Sequence, residues 1–197
     1  MRFSRRFPQV MGEKPLVSVQ QHDIYVTWRT PVASEGNERH TGRMKTNAMR
    51  ILEATGIPYE IVTYEWDEDH IDALSVAGLT GLDPLQVVKT LVTQATDRSI
   101  HIFCIPAPYE FSMKKARALV GTDSIEMVKQ QQLRPLTGYI RGGVSPLGML
   151  RPYPLYLEET IQLMDRIAVS AGQRGYQLLL KPEDLLDAAH GVWADLV

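Results

Sequence analysis

Residues 90–106, TLVTQATDRSIHIFCIP, hold two apolar, β-branched runs on either side of Thr96-Asp97-Arg98. That pattern predicts two strands, Thr90–Ala95 and Ser99–Pro106, paired as a hairpin. Toward the N-terminus, Asp83-Pro84 starts a short helical turn with proline at its first position. A helix is predicted from about Asp72 to Leu79. Before it, Tyr59, Ile61 and Thr63 alternate with Val62 and Tyr64 in a strand. Further back, Asn47 is placed to cap a helix carrying Met49, Ile51 and Leu52, which stops at Gly56.

Toward the C-terminus, Ser112 caps a helix with Lys114, Lys115 and Arg117 that ends at Gly121. Short strands are predicted at Ile125–Val128, Tyr153–Leu157, Ile167–Ser170 and Tyr176–Leu180, and a helix at Pro182–Ala189. Strands and helices mix without a strict βαβ rhythm. An α+β domain with a mixed sheet is therefore favoured over a dinucleotide-binding fold.

The chain has 197 residues, 44% hydrophobic and 22% charged, with a net charge of −2. That is the profile of one globular domain, and it excludes a disordered tail, a collagen-like repeat and a generic polyanion-coating protein. No apolar run reaches membrane-spanning length. The single cysteine, Cys104, cannot form an internal disulfide, so a cytoplasmic location is expected, with Cys104 a buried and inert thiol. Residues 1–43 differ from the rest: Val17–Val19, Ile24, Val26 and Trp28 alternate weakly, and Ala33 to Gly42 is a polar linker. The expected organisation is an N-terminal appendage, 1–43, followed by a compact domain, 44–197.

Chemistry concentrates in two places. Thr137-Gly138-Tyr139-Ile140-Arg141-Gly142-Gly143-Val144-Ser145-Pro146-Leu147-Gly148 carries four glycines and a proline, too many for a long regular element. Such a loop either offers main-chain N–H groups to a carbonyl or phosphate oxygen, or is a structural turn. It matches neither phosphate-binding glycine motif. Lys89 stands between apolar neighbours in Val87-Val88-Lys89-Thr90-Leu91. Its ammonium either meets a carbonyl or carboxylate near buried surface, or snorkels to water.

Tyr64-Glu65-Trp66-Asp67-Glu68-Asp69-His70 lacks the spacing of a calcium loop and reads as a solvated acidic loop. The histidines are scattered, so no metal site is expected. Seven basic residues face three acidic ones between Glu110 and Arg151, a surplus of four beside the glycine loop. This suits a phosphate-bearing substrate such as a nucleic-acid end, and equally a solvated helix face.

Val88-Lys89-Thr90-Leu91, Met113-Lys114-Lys115 and Thr137-Gly138-Tyr139 with Gly142 to Gly148, in that order and spacing, resemble the YbaK-type aminoacyl-tRNA deacylases. These are free-standing relatives of the editing domain of bacterial prolyl-tRNA synthetases. The resemblance runs from about Lys45 to the C-terminus. It implies a mixed, barrel-like sheet surrounded by helices. It also implies hydrolytic clearing of misacylated tRNA, most typically cysteine on proline tRNA, without a cofactor. The cysteinyl thiol attacks its own ester, so the protein needs only to hold a near-attack geometry and stabilise developing charge.

By position, Lys89 matches the essential lysine. Tyr64, Thr90, Gly142, Gly143, Ser145 and Ser170 match substrate-binding positions, and Lys114, Lys115 and Arg141 are candidates for contact with tRNA. Prolyl-tRNA synthetase is an implied partner, since the domain is small. Gln173 and Gln177 depart from the family pattern, where a lysine and an aspartate are common. Two alternatives follow: a non-catalytic module binding tRNA or a synthetase, and a deacylase for another amino acid such as alanine.

Overall fold

The computed structural model describes residues 45–197. The N-terminal appendage and its weak strand at residues 17–28 lie outside the described residues. Among the described residues no helix is long and apolar enough to cross a membrane.

In chain order the elements are α1 (Asn47–Ala54), β1 (Glu60–Thr63), α2 (Ala73–Thr80), β2 (Val88–Ala95), β3 (Ile100–Pro106), α3 (Met113–Val120), β4 (Ile125–Met127) and α4 (Gln130–Thr137). There follow β5 (Leu155–Glu158), a 3-10 helix (Glu159–Leu163), β6 (Ile167–Ser170), β7 (Tyr176–Leu180), α5 (Pro182–Ala189) and β8 (Val192–Ala194). The predicted hairpin is β2 and β3, antiparallel, with Thr90 opposite Cys104. It forms the middle of a five-stranded sheet ordered β4-β2-β3-β5-β8, in which β5 runs parallel to both β3 and β8. A second, antiparallel sheet has the order β1-β7-β6.

The α+β class and mixed sheet expected above are found, as two sheets rather than one closed barrel. A parallel bridge from Val87 to Ala168 joins them, with the Ala168 amide donating to the Gln86 carbonyl at 2.8 Å.

β3 is buried along its whole length. Its alternating side chains divide between two cores, because successive residues point to opposite faces. Ile102 and Cys104 join Met49, Leu52, Val92, Leu157 and Leu185, whereas Phe103 and Ile105 join Ala116 and Leu196. A third cluster of Val76, Ala77, Val87, Ala107 and Ala168 seats α2 against the sheet junction.

Local signals account for most helix ends. Ser112 Oγ accepts the Lys115 amide, and Gly121 closes α3 at φ 75°. The cap of α1 is Thr46, not Asn47, which is already helical. The turn at Asp83-Pro84 stays a single hydrogen-bonded turn, Gln86 N–H to Asp83 O at 2.9 Å. α4, the 3-10 helix and β8 were not anticipated from the sequence. Lys129 gives α4 no side-chain cap and Pro135 lies inside it, so nothing local announces the start of that helix, although Gly138 closes its end at φ 85°.

Candidate active site

Where the sheets join, a cavity of about 470 Å³ opens. The start of β2, the approach to α2, the β4–α4 connection, the glycine loop and the β6–β7 pair all contribute walls. Val87, Val88, Val92, Val128, Leu133 and Val144 make much of it apolar, against a few polar groups: Asp72, Lys89, Thr90, Gln130, Arg141, Ser170 and Gln177.

Lys89 enters at the start of β2, next to the buried Val88. Its ammonium donates to the carbonyls of Ala107 at 2.9 Å and Tyr109 at 2.6 Å, both just beyond the end of β3. Of the two readings open for Lys89, the clamp on main-chain oxygens is therefore the one seen. Three N–H donors less two bonds leave one available to a ligand. Burial pulls the Lys89 pKa below the usual lysine value, while the nearby charges of Glu110 and Asp72 push it back up.

Thr90 follows on the cavity wall. Its hydroxyl lies 3.9 Å from Cys104 Sγ, and burial pushes that thiol to about 12, so it stays protonated and inert.

The glycine loop is partly a wall and partly its own scaffold. Arg141, Gly142 and Val144 line the cavity. Gly142 has φ 79°, and a Cβ there would lie 2.9 Å from Ile71 Cβ, so backbone and packing both require glycine. Gly143 and Ser145 are not on the cavity wall. The Gly143 amide donates to Ile140 O at 2.9 Å, and the buried Ser145 Oγ accepts the Leu147 amide at 3.3 Å. Tyr139 pins the loop, its hydroxyl shared between the carbonyls of Leu147 at 2.6 Å and Gly148 at 3.1 Å. Burial pushes that phenol to about 12.

An unanticipated brace is Arg174, whose Nε donates to Arg141 O at 2.9 Å while its guanidinium lies 4.7 Å over the Trp66 ring. The sequence signal was its place in Gln173-Arg174-Gly175, but the contact joins segments far apart in the chain.

On the second sheet, Ser170 and Gln177 are cross-strand neighbours, both nearly buried and both lining the cavity. Ser170 Oγ accepts the Gly172 amide at 3.2 Å and keeps its own proton to donate. Tyr64 is not among the lining residues; it packs beside the α2 cluster, and its amide bonds Gly175 O at 3.0 Å.

On α3, Lys114 is exposed, whereas Lys115 is tied to Asp195 at 2.6 Å and to the main-chain oxygen of Val197. Neither lysine lines the cavity. In the acidic loop, Asp67 is occupied by His70 Nδ1 at 2.8 Å, which lowers the Asp67 pKa and raises that of His70. Among the described residues no three His, Cys, Asp or Glu side chains gather as a metal site.

The chain can be set beside known proteins on this geometry. The model of the aminoacyl-tRNA editing domain matches residues 69–188. An Enterococcus faecalis protein provisionally named Cys-tRNA(Pro)/Cys-tRNA(Cys) deacylase EbsC is 40% identical over 154 residues, 78% of this chain and 94% of that one. A proline–tRNA ligase of Shouchella clausii is 27% identical over 96 residues, 49% of this chain but 17% of the ligase. A solved structure, described provisionally as a trans-editing enzyme for prolyl tRNA synthetase, superposes with TM-score 0.68 at 26% identity, covering 78% of this chain and 98% of the other.

The matched span holds Lys89, the glycine loop, Ser170 and Gln177, so the cavity and the similarity coincide, and the chain belongs to the aminoacyl-tRNA editing domain family.

Proposed function

We propose that this protein deacylates mischarged tRNA, with cysteinyl-tRNA(Pro) as its principal substrate. The observation that carries the reading is the Lys89 ammonium, fixed by two carbonyls on the wall of a largely apolar cavity. The name given to the E. faecalis relative supports the choice of substrate.

Among the described residues neither cysteine nor histidine lines the cavity, so its hydroxyls, Thr90 and Ser170, have no imidazole base beside them there. A substrate that carries its own nucleophile suits such a site. The cysteinyl thiol loses its proton and sulfur attacks the ester carbonyl carbon. The C–S bond forms, the C–O bond to the ribose breaks, and the ribose oxygen takes up a proton. The released thiolactone then hydrolyses to cysteine. Lys89 supplies its remaining N–H to the oxygen that gains charge, and the cavity walls keep sulfur and carbonyl within attacking distance.

Thr90, Gly142 and Ser170 contact the aminoacyl ribose, with Gly143, Ser145 and Tyr64 holding that wall in place. Lys114 and Arg141 meet phosphates, with Lys115 a weaker contributor because of its bonds to Asp195 and Val197. A patch this modest requires help from prolyl-tRNA synthetase to present the tRNA, in the cytoplasm where charging occurs.

The test is release of amino acid from Cys-, Ala-, Ser- and Pro-charged proline tRNA, with and without the synthetase. Rapid release of cysteine, lost in Lys89→Ala, is expected. Full activity in that variant overturns the role of Lys89, and no release from any charged tRNA leaves a binding module.

A further inference from the structure

We propose that Asp72 holds the α-ammonium of the aminoacyl group; the assignment rests on the deacylase reading above. An aminoacyl ester brings a positive charge into a cavity that already carries Lys89 and Arg141. Like charges in a partly desolvated space repel, and an anion on the wall offsets that repulsion. Among the described residues, Asp72 is the one carboxylate lining the cavity. Ser170 and Gln177, also in the lining, are polar but neutral, so neither residue can supply a negative charge.

The Asp72 carboxylate is also held rigidly. As the cap of α2, its Oδ1 accepts the amides of Leu74 and Ser75, each at 3.0 Å, and Oδ2 accepts the Ser75 hydroxyl at 2.5 Å. These donors hold it ionised, below the usual carboxylate range. Three donors leave a lone pair for a fourth, and an ammonium matches that acceptor in charge and geometry. Gly142 packs on Ile71, the residue before Asp72, so this carboxylate and the glycine loop share one wall.

The experiment compares cysteinyl-tRNA with its counterpart in which the α-amine is replaced by hydroxyl, close in size but uncharged. Asparagine preserves the cap while removing the charge. Asp72→Asn is expected to lower the preference for the ammonium substrate by about five- to tenfold, mainly through KM. The intrinsic difference in ester reactivity is common to both proteins and cancels in the ratio. Loss of a merely structural cap would affect both substrates equally. An unchanged preference in a folded Asp72→Asn, or in Asp72→Ser if the first variant fails to fold, overturns the assignment. A wild-type protein that releases neither acid overturns the deacylase reading itself, a result distinct from an active enzyme with an unchanged ratio.

Discussion

The Lys89 ammonium and the Tyr109 carbonyl oxygen lie 2.6 Å apart, joining residues twenty positions apart. With the Ala107 carbonyl at 2.9 Å this bond sets the direction of the third N–H. Lys89→Met keeps an apolar stem of similar length and removes the charge. Its kcat for cysteinyl-tRNA is expected to fall on the order of a hundredfold or more. Single-turnover deacylation and circular dichroism together check this, the spectrum staying native.

Burial lowers the Lys89 pKa from 10.5, so a reaction that needs the ammonium must fail on the alkaline side below that value. Glu110 opposes the shift, and Glu110→Gln is expected to move the alkaline limb of the kcat profile to lower pH. The same depression has a stability consequence. Between the folded and unfolded pKa values the unfolded chain binds the extra proton, so the contribution of this group to stability rises with pH across that window. An alkaline limb at the ordinary lysine value contradicts the argument.

Two glycines with similar backbones separate strain from packing. Gly121 has φ 75° and open space where a Cβ would stand, so Gly121→Ala is expected to cost about 1 kcal/mol. Gly142 at φ 79° adds the contact with Ile71, and Gly142→Ala is expected to cost about 2–4 kcal/mol. Urea melts measure both, and only the second substitution is expected to raise KM.

Arg174 bonds the Arg141 carbonyl, covers Trp66 and reaches Glu68 at 3.4 Å. The first two contacts brace the loop, while Glu68 is 86% exposed and contributes about 0–1 kcal/mol. Arg174→Ala is expected to raise KM several-fold with little change in kcat, and Glu68→Gln to leave both unchanged. Steady-state kinetics of the two variants decide it.

What was legible had a local cause. The β2–β3 hairpin follows from two β-branched runs around a polar turn, and α3 from a serine cap and a closing glycine. Thr46 and Asn47 are both good caps, so the start of α1 could be read only to within one residue. α4 has no N-terminal side-chain cap and contains Pro135, and although Gly138 closes it, its Leu133 and Leu136 are helical because they pack on the main core. β8 has three residues and exists because the edge of β5 accepts it.

Sequence alone determined most of the element types, the lysine and the glycine-rich loop, because capping, alternation and chain flexibility act over a few neighbouring residues. Tertiary structure decided which of those residues share the cavity. It turned Gly143 and Ser145 into the loop and left Tyr64 off the wall, and it brought Asp72, Ser170 and Gln177 to the lining of one cavity. The reason is that each placement depends on a contact between distant segments, Gly142 on Ile71 and Arg174 on Arg141, that no short-range preference encodes.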